Sequence, residues 1–380
     1  MQVPSAQTLD LTRIDEALAE CPNSDAVFLV WAGDRSAYLA RTSMLRRRLL
    51  RILKTPDGAP KRSLNLRDVV TRVEYWPTAS RFESLLVHYA LARRHYPDDY
   101  LRLTKLRMPS YVKLILSNEF PRTQVTSRIG GGAGLYYGPF RSRTAAELFQ
   151  DQFLDLFQLR RCQENLEPGP SHPGCIYGEM NRCLRPCQQV VTREEYASEA
   201  GRVREFLAGD GAALVSVTSA ARDRLSDEMD FEAAAREHQH LERIESVLKL
   251  RDDLVHDIDQ VYGVAVAPAT EPESVLLWFV CRGVWQTPST FSLGSSVSLD
   301  TRLREMVASI EPAPVPLAER QEHLALLARW HYSTWSDGEW IGFRSLADIP
   351  YRRLVRAISR ARQPRGAPVP AHQTTSAPPG

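Results

Sequence analysis

The chain has 380 residues, 43% of them apolar and 25% charged, enough for two or three domains of about 100 to 200 residues each and too many for one small scaffold. Lys and Arg number 48 against 46 Asp and Glu, a formal charge of +2, which excludes coating of a polyanion by bulk charge and makes any basic site local. No apolar run reaches the roughly 20 residues that cross a bilayer, and MQVPSAQTLDLTRID lacks a basic stretch followed by an apolar one, so the expectation is a cytoplasmic chain with no membrane partner.

From Asp25, DAVFLVW, a GDRS turn and AYLA predict a β-hairpin. A helix follows in TSMLRRRLLRIL, where Leu45, Leu49 and Ile52 fall at i, i+4 and i+7, and the loop KTPDGAPKRS closes it. A strand at VTRVEYW precedes a helix at SRFESLLVHYALARRH, with Phe82, Leu85, Leu86, Tyr89 and Arg93 on one face. Residues 22–105 therefore form a small α/β domain. SYVKLIL, TQVTSRI and GLYYGPF predict short strands. GGGAG between them fails the G-x-G-x-x-G spacing and is a turn, not a nucleotide fingerprint. A helix at RTAAELFQDQFLDLF leads into a cysteine segment, so 106–190 form a connector and cysteine unit. Residues 192–254 turn charged and helical, and DFEAAAREHQHLERIESVLKL keeps Phe231, Ala234, Leu241, Ile244 and Leu248 at helical spacing, predicting a helical hairpin. Residues 258–345 hold strands at VYGVAVA and SVLLWFVCRGVW and five of the seven tryptophans, either core residues or stacking platforms, in a further α/β unit. Residues 363–380 are too poor in apolar side chains to fold and read as a disordered tail. The fold class is α/β in the broad sense, a multidomain α+β chain.

Four residue sets carry chemistry. The first helix bears Arg46, Arg47, Arg48, Arg51 and Lys54 after Arg41, and Arg48 flanks the apolar face three residues beyond Leu45. There its guanidinium either snorkels over apolar surface or is held toward a phosphate. Glu83 stands in Ser80-Arg-Phe-Glu83, the spacing of a capping box, and also suits a hard divalent cation that touches a phosphate. Tyr38 ends the second strand three residues before Arg41, as a buried tyrosine or as a phenol near a cation. Cys162, Cys175, Cys183 and Cys187 lie close in sequence, whereas Cys21 and Cys281 stand alone. In such a chain this argues for ligation of zinc or a 4Fe-4S cluster rather than disulfides.

Taken together these residues resemble the UvrC family. AVF at 26–28 stands where that family has GIY or GVY, YLA at 38–40 stands for YIG, Arg48 follows Tyr38 at the catalytic arginine position, and FESLLVHYAL is similar to E-A-L-L-L-E with Glu83 at the metal-binding glutamate. EFPRTQVTSR and YYGPFRSRTAAEL are similar to the family's connector, RRCQ and PGCIYGEMNRCLRPC to its four-cysteine segment, and DEMDFEAAAREHQHLERIESV to its UVR motif. The resemblance covers about 22–255.

It implies a GIY-YIG-type nuclease domain in which Glu83 holds magnesium or manganese, Arg48 stabilises the phosphate, and Tyr38 with Arg41 positions or deprotonates water. It implies a 4Fe-4S cluster on Cys162, Cys175, Cys183 and Cys187, with zinc as the alternative. It also implies damaged duplex DNA as substrate, and a UvrB-like partner at the UVR-like hairpin through Phe231, Ala234 and Leu241. Arg93, Arg94, Arg102, Lys105 and Arg107 would track the DNA backbone. Three positions depart from the pattern. Phe28 replaces the first motif tyrosine, Ala40 the second motif glycine, and Arg41 the usual lysine. The carboxylate-rich nuclease domain and helix-hairpin-helix modules of longer members are not found, which reads as a C-terminally truncated form limited to the incision 3′ to a lesion. The alternative is a non-catalytic relative that binds DNA or docks on UvrB.

Overall fold

β-branched and aromatic residues alternate through the first strands, and in the computed structural model they build an antiparallel sheet covered on both faces. The structure describes residues 4–53, 66, 69–294, 298–312, 314–335 and 337–361, with the backbone alone at 35–37. The loop after the first helix, Lys54 and the expected tail lie outside the described residues.

The first unit runs β1 (Gln7–Leu9), α1 (Ile14–Glu20), β2 (Ala26–Ala32), β3 (Arg35–Thr42), α2 (Leu45–Leu53), β4 (Arg72–Pro77), α3 (Arg81–His95) and α4 (Tyr100–Thr104), with sheet order β1-β4-β2-β3. Phe28 and Val30 of β2 pack with Leu18 of α1 and Leu45, Leu49 and Ile52 of α2. Val27 and Leu29 face the other way and meet Val87, Leu91 and Ala92 of α3. The alternation of a strand thus sets two cores on opposite faces. β1 and α1 precede Asp25, where the strand pattern becomes readable, and β1 adds only Leu9 to the core.

The second unit contains β5 (Ser110–Ile115), β6 (Arg122–Thr126), β7 (Gly134–Phe140), α5 (Arg143–Leu154), α6 (Ile176–Glu179), α7 (Arg193–Ala208), α8 (Ala212–Asp227), α9 (Phe231–Leu248) and β8 (His256–Asp257), in sheet order β6-β5-β7-β8. One core joins Val112 and Tyr137 of the sheet, Phe149 and Phe153 of α5, Val203 and Phe206 of α7, and Ile244 and Val247 of α9. The connector, the cysteine segment and the base of the helical hairpin therefore fold around common apolar surface. α8 and α9 pack along each other as the expected hairpin.

The third unit contains β9 (Tyr262–Pro268), β10 (Ser274–Cys281), β11 (Val284–Trp285), β12 (Ser289–Ser292), α10 (Leu299–Ala308), α11 (Leu317–His331), β13 (Glu339–Phe343) and α12 (Tyr351–Ala361). Its sheet runs β11-β10-β9-β13, and β12 also pairs with β10. α10 and α12 cover one face. The other face meets α11 and, from the first unit, Phe82, Leu85, Leu86 and Tyr89 of α3. α3 is thus shared by two cores, which is why it is apolar on two sides. Trp278, Trp285, Trp330 and Trp340 are buried there, core residues and not exposed platforms. No described helix is long and apolar enough to cross a membrane.

Candidate active site and cysteine centre

Arg48 reaches over the α2 face of the first sheet, and its Nη2 donates to the Tyr38 hydroxyl at 2.5 Å. The two residues come from α2 and β3, which the Leu45, Leu49 and Ile52 stripe clamps onto the sheet. Phe28 pairs in register with Ala40, is fully buried, and sets its ring 5.8 Å from that of Tyr38, so the position of the motif tyrosine contributes packing and no oxygen.

Arg41 points elsewhere. It is two residues from Leu39, which packs beneath α3. It is an exposed residue, yet protein crowds its head enough that the guanidinium is held below its ordinary range, first by loss of water and then by the Arg329 charge. His88 on α3 is pushed down to about 4 by burial and then by Arg41 and Arg329.

Glu83 sits in the first turn of α3. Ser80 Oγ accepts from Glu83 N at 3.0 Å, and Glu83 Oε2 accepts from Ala79 N at 2.8 Å, so the expected cap forms with the return bond one residue early. Glu83 is 6% exposed, and its carboxyl is raised to about 7, chiefly by burial and further by Asp337, against the lowering effect of the Ala79 bond. Asp337 belongs to the third unit and caps the same helix from 2.5 Å at Arg81 N and 3.2 Å at Phe82 N. The Phe82 ring stacks on Trp330 at 4.4 Å. No hydrogen bond or ion pair joins Glu83 to Tyr38, Arg41 or Arg48 among the described residues. The four sequence-predicted residues thus fall into one joined pair, Tyr38 with Arg48, and two residues held apart from it.

Of the expected backbone-tracking cations, Arg93 is engaged otherwise. Its guanidinium lies 2.5 Å from Glu319, and Arg102 lies 3.1 Å from Asp99. Both have carboxylate partners that sequence spacing did not supply for Arg93.

Cys183 and Cys187 are buried, Cys162 is half-buried and Cys175 is exposed as the residue before α6. Burial first, and then the charges of Cys162, Cys175 and Cys187, push the Cys183 thiol up to about 11, opposed by the Arg185 backbone N–H, which donates to its sulfur at 3.4 Å. As placed, no three His, Cys, Asp or Glu side chains among the described residues form a set that could hold a metal ion. Sequence reasoning passed over Arg160. It is 2% exposed, donates to Phe120 O and Glu164 O at 3.0 Å each, and points Nη1 at Cys162 Sγ from 3.5 Å, with no carboxylate partner among the described residues. Its position two residues before Cys162 was the available signal.

In the hairpin, Phe231 is 68% exposed beside exposed Met229, whereas Ala234 and Leu241 are buried and contribute to the fold's interior. Of the three expected partner contacts, only Phe231 is presented to solvent.

The family model described as UvrC/Cho excinuclease, middle domain, matches residues 111–206. The UvrABC system protein C of Ruminiclostridium cellulolyticum is 23% identical over 91% of this chain and 58% of its own length. That of Lachnospira eligens is 24% identical over 71% and 44%, and that of Oleidesulfovibrio alaskensis 30% over 65% and 35%. Residues 111–206 thus match the middle domain of the UvrC/Cho excinucleases, and most of the chain is similar to UvrABC system protein C. The matched middle domain spans β5 to α7 and includes all four cysteines, and the chain spans about half the length of the curated relatives it matches. No solved structure matches it.

Proposed function

We propose that the chain is a UvrC-like DNA-repair endonuclease, hydrolysing a phosphodiester 3′ to a lesion in nucleotide excision repair. The observation that carries this reading is the Arg48–Tyr38 pair, two residues at the family's positions joined at 2.5 Å. Arg48 is always charged and its planar donors match phosphate oxygens, so it stabilises negative charge that grows at phosphorus. Tyr38, with its oxygen fixed by Arg48, holds the attacking water in line. Glu83 would hold the divalent ion, magnesium or manganese. Its carboxyl, raised by burial and by Asp337, has the hard oxygen donors and the like-charge neighbour that a cation relieves. Bound there, the ion would supply positive charge to a phosphate brought to the first turn of α3. Arg41, on the α3 side, contributes positive charge to DNA and not a proton acceptor.

Cys162, Cys175, Cys183 and Cys187 would hold a 4Fe-4S cluster, zinc being the alternative for the same donors. The support is the chemistry and close sequence placement of four thiols, and a buried Arg160 whose Nη1 points at Cys162 Sγ. When bound, the cluster supplies a cross-link between segments of the middle unit. The α8–α9 hairpin would dock a UvrB-like protein through Phe231 and Met229.

The test is cleavage of an end-labelled damaged duplex with magnesium or manganese, with and without UvrB, comparing the intact chain with Glu83→Ala. Cutting by the intact chain alone supports the reading. Failure of both to cut while both bind DNA or UvrB replaces it with the second reading, a repair-derived binding protein. The burial of Glu83 under the third unit and the oxygen-free Phe28 favour that alternative.

A further inference from the structure

We propose that the cleft where the three units meet, between the end of α4, the β7–α5 turn and α11, binds the phosphodiester backbone of a nucleic acid strand. This rests on the reading of the chain as a DNA-acting protein and assigns it a contact surface outside the Tyr38–Arg48 pair. The cleft has a volume of about 710 Å³ and is lined by Lys105, Arg107, Arg141, Arg143 and Arg329, with no carboxylate in its wall. Arg143 is held by Glu147 at 2.7 Å. Lys105, Arg107, Arg141 and Arg329 form no ion pair with a carboxylate among the described residues.

The fold imposes this crowding and does not merely tolerate it. Arg329 Nη1 donates to Thr104 O at 2.8 Å, which pins a cation from α11 against the loop that carries Lys105 and Arg107. The Arg329 guanidinium is held below its ordinary range by burial and then by Arg107. Like charges brought together without counterions destabilise the folded chain, and a bound polyanion offsets that cost. Five cations spread along a cleft of this volume suit a chain of phosphates better than a single anion. The remaining wall fits that chemistry. Ser110 and Ser142 offer hydroxyls, and half-buried Met108 and Tyr332 offer apolar surface to sugars and bases.

Arg107→Glu with Arg141→Glu tests the cleft, because neither side chain makes a hydrogen bond or ion pair in the described structure. Arg236→Glu with Arg356→Glu changes net charge equally on exposed sites elsewhere. Binding of a labelled DNA duplex to the full chain is measured by fluorescence anisotropy across a salt series. The cleft variant is expected to bind about tenfold or more weakly and to lower the slope of log K against log salt by about 2, while the control pair changes Kd by less than about twofold. Equal binding by the two double variants overturns the assignment while leaving the DNA reading intact. Absence of DNA binding by the unaltered chain overturns both. Full competition by inorganic phosphate at constant ionic strength identifies a free-anion site and overturns the strand assignment.

Discussion

In the first unit, the chemistry-bearing residues come from β3, α2 and α3 and are divided by the sheet: Tyr38 and Arg48 meet on the α2 face, while Glu83 lies on α3 beneath the third unit. In the second unit, the four cysteines come from one short stretch of chain, and the cation Arg160 is already buried at the edge of Cys162. The difference lies in what would assemble each site. The cysteines are neighbours in chain order, whereas the first site depends on how far a separate unit leans on α3. The cysteine centre should therefore respond to changes in its own segment alone, and the Glu83 region to changes far away in sequence.

The largest effect is expected at the cysteines. Cys183→Ser should remove most of the iron from protein prepared anaerobically, read by iron and sulfide content, without changing the Glu83 region; zinc in place of iron in the unaltered chain would give the site to the alternative metal.

Phe82→Ala removes a fully buried ring that stacks on Trp330 and should cost roughly 3–5 kcal/mol, measured by denaturant unfolding. If α3 joins the units as described, the loss should appear as earlier release of the third unit, with the middle unit's transition unmoved. A single unchanged transition would break the comparison.

Glu83→Gln should sharpen it. The folded carboxyl titrates at about 7 against an ordinary 4.5, so the folded chain holds a proton that the unfolded chain releases as pH rises through that window. Stability contributed by this group is full below pH 4.5 and is lost as pH climbs through 7. Gln has no proton to lose and keeps the Ala79 bond, so the variant should be more stable than the unaltered chain at pH 8, by up to roughly 3 kcal/mol, and equal to it at pH 4.5. His88 runs in the opposite sense. Held down at about 4, it costs stability as pH falls from 6.5 toward 4.

The smallest effect is at Asp337. Asp337→Ala removes an acceptor from the first N–H groups of α3 and should cost about 1 kcal/mol in thermal unfolding, while lowering the pH at which Glu83 titrates.

The parts of this fold that were legible in sequence are those set by local periodicity. Leu45, Leu49 and Ile52 are buried together, and Phe82, Leu85, Leu86 and Tyr89 form one face. The capping pattern at Ser80 and Glu83 is present. The second apolar side of α3, with Val87 and Leu91, was readable as composition but not as a second interface, because what covers each side is decided by residues far along the chain. Asp337 gave no signal for the same reason: an acidic residue before a strand becomes a helix cap only through tertiary packing. Arg48 stands out in the sequence as an arginine beside an apolar face, and its partner in the structure is a hydroxyl, Tyr38. Arg329 and Arg141 were invisible as a set, since a cleft between units has no sequence spacing.

The most direct measurement for the central claim, that Glu83 belongs to a metal-dependent nuclease, is calorimetric titration of manganese into the chain near pH 6.5 in two buffers of different ionisation enthalpy. Saturable binding with release of part of a proton is expected, because a carboxyl that titrates near 7 must ionise to take a cation. Glu83→Gln should abolish both. Identical manganese binding by the unaltered chain and the variant, with no proton released, would contradict it.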